Sequence, residues 1–184
     1  MIRNLVPTFT AAAILAAGSL IHPFGNIDSR AVKGPILKGA GIDAETLGLF
    51  QRACQNCHSF NTELPLYGRI APMSWLIARD VRQARLHMNL SLWQENLAED
   101  RIMLLSEIGS AVKNGDMPVQ RYLLLHPEAR LSDQEREQIY QWTRAERKRL
   151  KSAPSHSGAE RRQDRPLRPR GSVTSPSFLS IHFK

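Results

Sequence analysis

Between residues 43 and 150 apolar side chains recur every three or four positions, and polar breaks separate the runs. That period belongs to amphipathic helices rather than strands. Asp43 is a good N-cap with Glu45 in the first turn, and Leu47, Phe50, Cys54 and Cys57 keep helical spacing after it. Pro72 suits a first helical position, and Trp75, Ala78, Val81 and Met88 predict a second helix to about Asn89. A third is predicted from Ala98 to Asn114, with Ile102, Leu105, Ile108 and Val112 as its stripe and Gly115 as its cap. Asp116 to Leu131 reads as irregular, with a short helical piece at Tyr122–Leu125. Ser132-Asp133-Gln134-Glu135 is a capping box that opens a last helix through Ile139 and Trp142 to about Leu150. No alternating run of strand length interrupts the series and no repeat has a solenoid period, so the core is expected to be all-α.

The flanks differ from this core. Met1 to Ile21 has one basic residue, Arg3, an apolar run from Leu5 to Leu15, and then Ala16, Ala17 and Gly18. It reads either as a signal peptide cleaved after Gly18 or as an uncleaved signal anchor, and both imply export. Residues 22–42, rich in Gly and without period, read as a linker; residues 43–150 form the domain. From residue 151 onward seven Lys or Arg stand against two Asp or Glu, so that tail carries +5 of the net charge of +8. The basic pI therefore describes a Ser-, Pro- and Arg-rich tail, expected to be disordered, and not a nucleic-acid-binding fold. Tail segments such as RRQDRPLRPR have the composition to touch anionic lipid head groups.

The stretch ACQNCHSF holds both cysteines of the chain, Cys54 and Cys57, followed by His58. Two cysteines and one histidine fall short of a closed zinc site. A thioredoxin-type dithiol would follow a strand, and a disulfide across two residues closes too small a loop to stabilise much. C-x-x-C-H is the attachment motif of c-type haem. Its spacing sets two thiols one helical turn apart, in reach of two vinyl groups of one porphyrin, with the adjacent imidazole directed at the iron. The expected protein is a cytochrome c-like domain of about four helices around one covalently attached haem.

A six-coordinate haem needs a second ligand. Met73, Met88 and Met103 fall at or beside apolar helical positions, where methionine fills cores. Met117 lies in NGDMPVQRY, after a helix cap and before Pro118, 59 residues beyond His58. Presented from a stiff loop after two helices, it is the leading distal candidate, since Met/His is an established cytochrome c pair. His126, before Pro127, is the best imidazole competitor; His87 is equally explained by a helix C-terminus. A five-coordinate iron with an open site is the remaining case.

The runs CQNCHSFNTELPLYGRIAPMSWLIARDVRQARLHMNLSLW and GDMPVQRYLLLHPEARLSDQE resemble the bacterial haem-binding domain family of c-type cytochromes, over about residues 45–145. The shared elements are the haem motif, Tyr67, the IAPxSWL stretch at Ile70–Leu76, the NxSxW stretch at Asn89–Trp93 and the GxMP loop at Gly115–Pro118. The resemblance implies haem c on Cys54 and Cys57, His58 as proximal ligand, and a loop suited to bring Met117 to the iron. Leu66 stands where the family often has tryptophan, and the tail lies outside the family pattern.

Phe50 and Trp142 are expected at a crossing of the cysteine-bearing and C-terminal helices, where burial is worth roughly 2 to 3 kcal/mol for an aromatic side chain. Trp75, Tyr67 and Arg69 are candidate donors to haem propionates. With no nucleophile triad, phosphate loop or paired carboxylates, the sequence reads as a one-electron carrier with redox protein partners rather than a catalyst. A haem sensor or peroxidase-like enzyme with a displaceable distal ligand, and a haem-stapled interaction module, are the alternatives.

Overall fold

The computed structural model describes residues 33–153 continuously, with residues 10, 13–14, 16–25 and 27 ahead of them. The expected tail falls almost wholly on residues 154–184 and the first part of the leader on residues 1–9, both outside the described residues. Every regular element among the described residues is helical, as the periodicity predicts. From residue 33 onward the α-helices are α1 (Ala44–Ala53), α2 (Gln55–His58), α3 (Met73–His87), α4 (Ala98–Lys113), α5 (Gln120–Leu123) and α6 (Asp133–Ser152). Short 3₁₀ segments occupy Leu66–Arg69, Leu90–Glu95, which is kinked at Leu92, and Pro127–Ala129. No helix among the described residues is long and apolar enough to cross a membrane.

Local chemistry sets the boundaries. Asp43 caps α1 by accepting from the Thr46 N–H at 2.8 Å. At the start of α6 the capping box closes reciprocally: Glu135 N–H donates to Ser132 Oγ, and Ser132 N–H donates to Glu135 Oε2 at 2.7 Å. Gly115, at φ +77, ends α4 in a left-handed turn that few other residues adopt. Its N–H bonds Val112 O and that of Asp116 bonds Ala111 O, satisfying two last-turn carbonyls. The short piece expected at Tyr122–Leu125 is real but sits two residues earlier, as α5.

The core joins α1, α4 and α6. Phe50 and Trp142 are buried and meet edge to face, ring centroids 5.1 Å apart at 71°. Helices α4 and α6 approach closely where α4 has Gly109, since a Cβ there would lie 2.7 Å from Thr143 Oγ1. Leu90 and Trp93, on either side of the kink at Leu92, are both fully buried. The segment read as a linker also contributes: Ile36 and Leu37 are buried with this core, and Leu37 N–H donates to Leu90 O at 2.9 Å. Two apolar residues in a Gly-rich stretch carry no period, so only the tertiary contact reveals them.

Glu146 closes the far end of this packing at 2 % exposure, with Arg149 bonding both its oxygens at 2.6 Å. Burial alone would raise its pKa; the Arg149 hydrogen bonds, the Gly41 N–H and the Arg149 and Arg101 charges outweigh it and hold the carboxyl below its ordinary 4.5. A carboxyl depressed on folding contributes stability above its unfolded pKa and loses it as pH falls through the folded value. Urea unfolding is therefore expected to show stability falling below about pH 4.5, with a shallower fall in Glu146→Gln. Equal slopes in the two proteins would assign the acid sensitivity to other carboxylates.

Candidate functional site

The cysteine motif does not continue α1 as its spacing predicts. Cys54 leaves helical geometry at φ −121, ψ −32, although its N–H still bonds Phe50 O at 2.9 Å. A fresh turn then begins, with the Cys57 and His58 N–H groups both donating to Cys54 O, at 3.2 and 3.0 Å. Cys54 and Cys57 thus bracket one tight turn, and both border the same cavity. The thiols are free, and burial pushes both up in pKa, Cys54 to about 12. At neutral pH they are thiols, the opposite of the acidic thiolate a dithiol redox catalyst uses.

His58 also borders the cavity. Its Nδ1 lies 3.2 Å from Met88 O. A carbonyl only accepts, so Nδ1 carries the proton and Nε2 keeps the lone pair. Burial lowers the His58 pKa, helped by the neighbouring His87 and opposed by the bond to Met88 O. The ring is a neutral imidazole with its tautomer fixed for ligation through Nε2.

Another part of the cavity wall comes from α4 and the loop after it. Leu104, Ile108 and Val112 line the cavity, followed by Met117, Pro118, Val119 and Tyr122. The Met117 N–H is tied back to Ala111 O at 3.2 Å, and its side chain, 39 % exposed, stands at the rim.

The structure therefore brings Cys54, Cys57, His58 and Met117 together around one apolar cavity. His87 and Met88 line it as well, next in the chain to the carbonyl that holds His58. His126, Met73 and Met103 are not among its lining residues. Both nitrogens of His126 have partners, Tyr67 OH at 2.7 Å and Glu128 Oε1 at 2.9 Å. Two of the proposed propionate donors are likewise engaged within the chain, Tyr67 with His126 and Trp75 through its N–H to Ile21 O at 2.7 Å. Residues that the sequence reading passed over are Tyr122 and Glu107 on the wall, and Asn56, whose Nδ2 donates to Tyr122 OH at 3.1 Å.

Haem suits this donor set: apolar walls for a macrocycle, two thiols on one turn for its vinyl groups, and a neutral imidazole for its iron. All-helical, with a C-x-x-C-H turn on an apolar cavity, the chain is a cytochrome c-like protein that binds haem. It belongs to the haem-binding domain family, whose model matches residues 13–145. It is also 27% identical over 124 residues to the cytochrome c peroxidase Ccp of Escherichia coli (strain K12). That match takes in 66% of this chain and 26% of the relative, so the chain spans about a quarter of the relative's length. No solved structure matches.

Proposed function

We propose that the domain carries one haem c, bound through thioethers to Cys54 and Cys57, and works as a one-electron carrier or relay outside the cytoplasm. The observation that carries this reading is the meeting of both thiols, His58 and Met117 at one apolar cavity. The bound group supplies an iron that exchanges one electron between ferrous and ferric states. His58 would hold that iron through Nε2, its ring kept in place by the Nδ1–H to Met88 O. Met117, which borders the same cavity, would be the second ligand, a soft one that favours the ferrous state. Leu104, Ile108, Val112 and Phe50 exclude water and so limit the rearrangement that accompanies a change of charge. The apolar leader supports export, either cleaved or retained as a tether to the membrane, and redox proteins are the fitting partners.

The test is the optical spectrum of the haem-loaded protein against Met117→Ala. The variant is expected to keep covalent haem and lose the near-infrared methionine-to-iron band. An unchanged spectrum would move the distal role to His87 or to an open position.

The similarity to a cytochrome c peroxidase favours a second reading, a displaceable Met117 that admits peroxide. His87 and Glu107, paired at 3.0 Å on the cavity wall, are the polar groups available to it. Peroxide turnover by the unmodified protein supports that reading; a persistent methionine band with negligible turnover removes it.

A further inference from the structure

The loop that carries Met117 is fixed at both ends by different means. At its start the Schellman turn after α4 holds the Asp116 and Met117 N–H groups on Ala111 O. Five residues on, Tyr122 lines the cavity, and its ring stacks on His126 at 4.3 Å and 17°. Asn56, between the two cysteines, accepts from the Glu63 N–H through Oδ1, which leaves its Nδ2 to donate to Tyr122 OH. The loop is thereby joined to the cysteine turn.

His126 is the hub of this second anchor. The Glu128 carboxylate only accepts, so His126 Nδ1 carries the proton and Nε2 offers its lone pair. Tyr67 therefore donates its hydroxyl proton to Nε2, at 2.7 Å, from the separate 3₁₀ turn Leu66–Arg69. With the His126 side chain 18 % exposed, the Tyr67 bond is partly shielded from competing water. An exposed ion pair, Arg121 to Asp80 of α3 at 3.1 Å, adds little by comparison.

We propose that Tyr67 and His126 are positioning residues for the distal ligand: acting through Tyr122, they latch the Met117 loop over the cavity and set how readily Met117 gives way to an incoming ligand. The reading of Met117 as iron ligand underlies this assignment. His126, a rival ligand by sequence, thereby becomes the group that holds the ligand's loop in place.

The experiment titrates the full-length ferric haem-loaded protein with imidazole, which competes with Met117 for the iron, and follows the shift of the haem Soret band, which the Met117→Ala protein also has. In Tyr67→Phe, which keeps the ring and removes one donor, the apparent Kd for imidazole is expected to fall about five- to tenfold, the equivalent of one net hydrogen bond. Tyr122→Phe, which keeps the stack and removes the acceptor for Asn56, is expected to move it the same way. In a Met117→Ala background neither change has a ligand to release, so the difference is expected to vanish. Amide exchange over residues 116–126 is expected to quicken in Tyr67→Phe before any haem is added. A Kd unchanged by Tyr67→Phe but lowered by Met117→Ala overturns the latch and leaves Met117 as ligand. A Kd indifferent to Met117→Ala overturns the ligand reading and the latch with it. A drop in melting temperature with no change in Kd would make Tyr67 structural only, which also overturns the proposal.

Discussion

Protein with Cys54 and Cys57 both changed to alanine is expected to lose all covalently bound haem, so that no haem remains with the polypeptide on a denaturing gel. The expectation follows from bond type. Each thioether forms when one S–H adds across one vinyl group, and such carbon–sulfur bonds survive denaturation. A bond from His58 Nε2 would depend on a fold that fixes the imidazole through Met88 O, and it would fail when that fold is lost. Either single variant keeps one thiol on the Cys54–Cys57 turn and is expected to retain covalent haem at reduced yield. The double variant separates attachment from ligation: it can still take up haem reversibly in the apolar cavity, but acid and organic solvent should then extract all of it. Haem that stays with the denatured double variant would sink the thioether assignment. The buried thiols bear on the same point. Held protonated by burial, Cys54 and Cys57 are poor attacking thiolates, so loss of dithiol exchange is not an equivalent account of the variant.

Much of this site is legible in the amino-acid sequence. The helices declared themselves through stripes such as Leu105, Ile108 and Val112, whose three- and four-residue spacing is a direct consequence of helical pitch. Caps declared themselves through residues with one strong backbone use, Asp43, Ser132 and Gly115. The haem motif and the Met-Pro loop were read as linear patterns, and the fold brings them to one cavity. What stayed hidden rests on pairs distant in sequence. Leu37 reaches Leu90 and Tyr67 reaches His126, and neither residue carries a local mark of its partner. The break at Cys54 was equally invisible, because the spacing of Phe50, Cys54 and Cys57 is the same for one helix or for two short ones sharing a corner. His126 shows the limit most clearly. As an isolated histidine before a proline it was a fair ligand, and only its occupied nitrogens exclude it from that role in this arrangement.

Phe50→Ala is expected to destabilise the protein by about 3 to 5 kcal/mol, the range for removing a buried aromatic ring when the surroundings cannot close the gap. Phe50 is 1 % exposed and set against Trp142, itself only 7 % exposed, in an edge-to-face pair. Trp142 has little freedom to follow the missing ring, because its indole N–H is bonded to Gly41 O at 3.0 Å and α6 is held close to α4 at Gly109. The gap therefore stays open. Thermal unfolding should show a fall of roughly 10 to 20 °C in Tm. A cycle with Trp142→Ala isolates the ring-to-ring part, expected at about 0.5 to 1.5 kcal/mol beyond simple burial. Phe50 also lines the haem cavity, and its amide-side carbonyl receives the Cys54 N–H, so the same substitution acts on the site itself. Water admitted behind the cysteine turn would stabilise the more highly charged ferric centre and lower the midpoint potential, whereas a purely distant packing defect would leave it unchanged. A variant that loses several kcal/mol of stability yet keeps its potential would place Phe50 in the helix crossing alone, with α4 sufficient to keep the cavity dry.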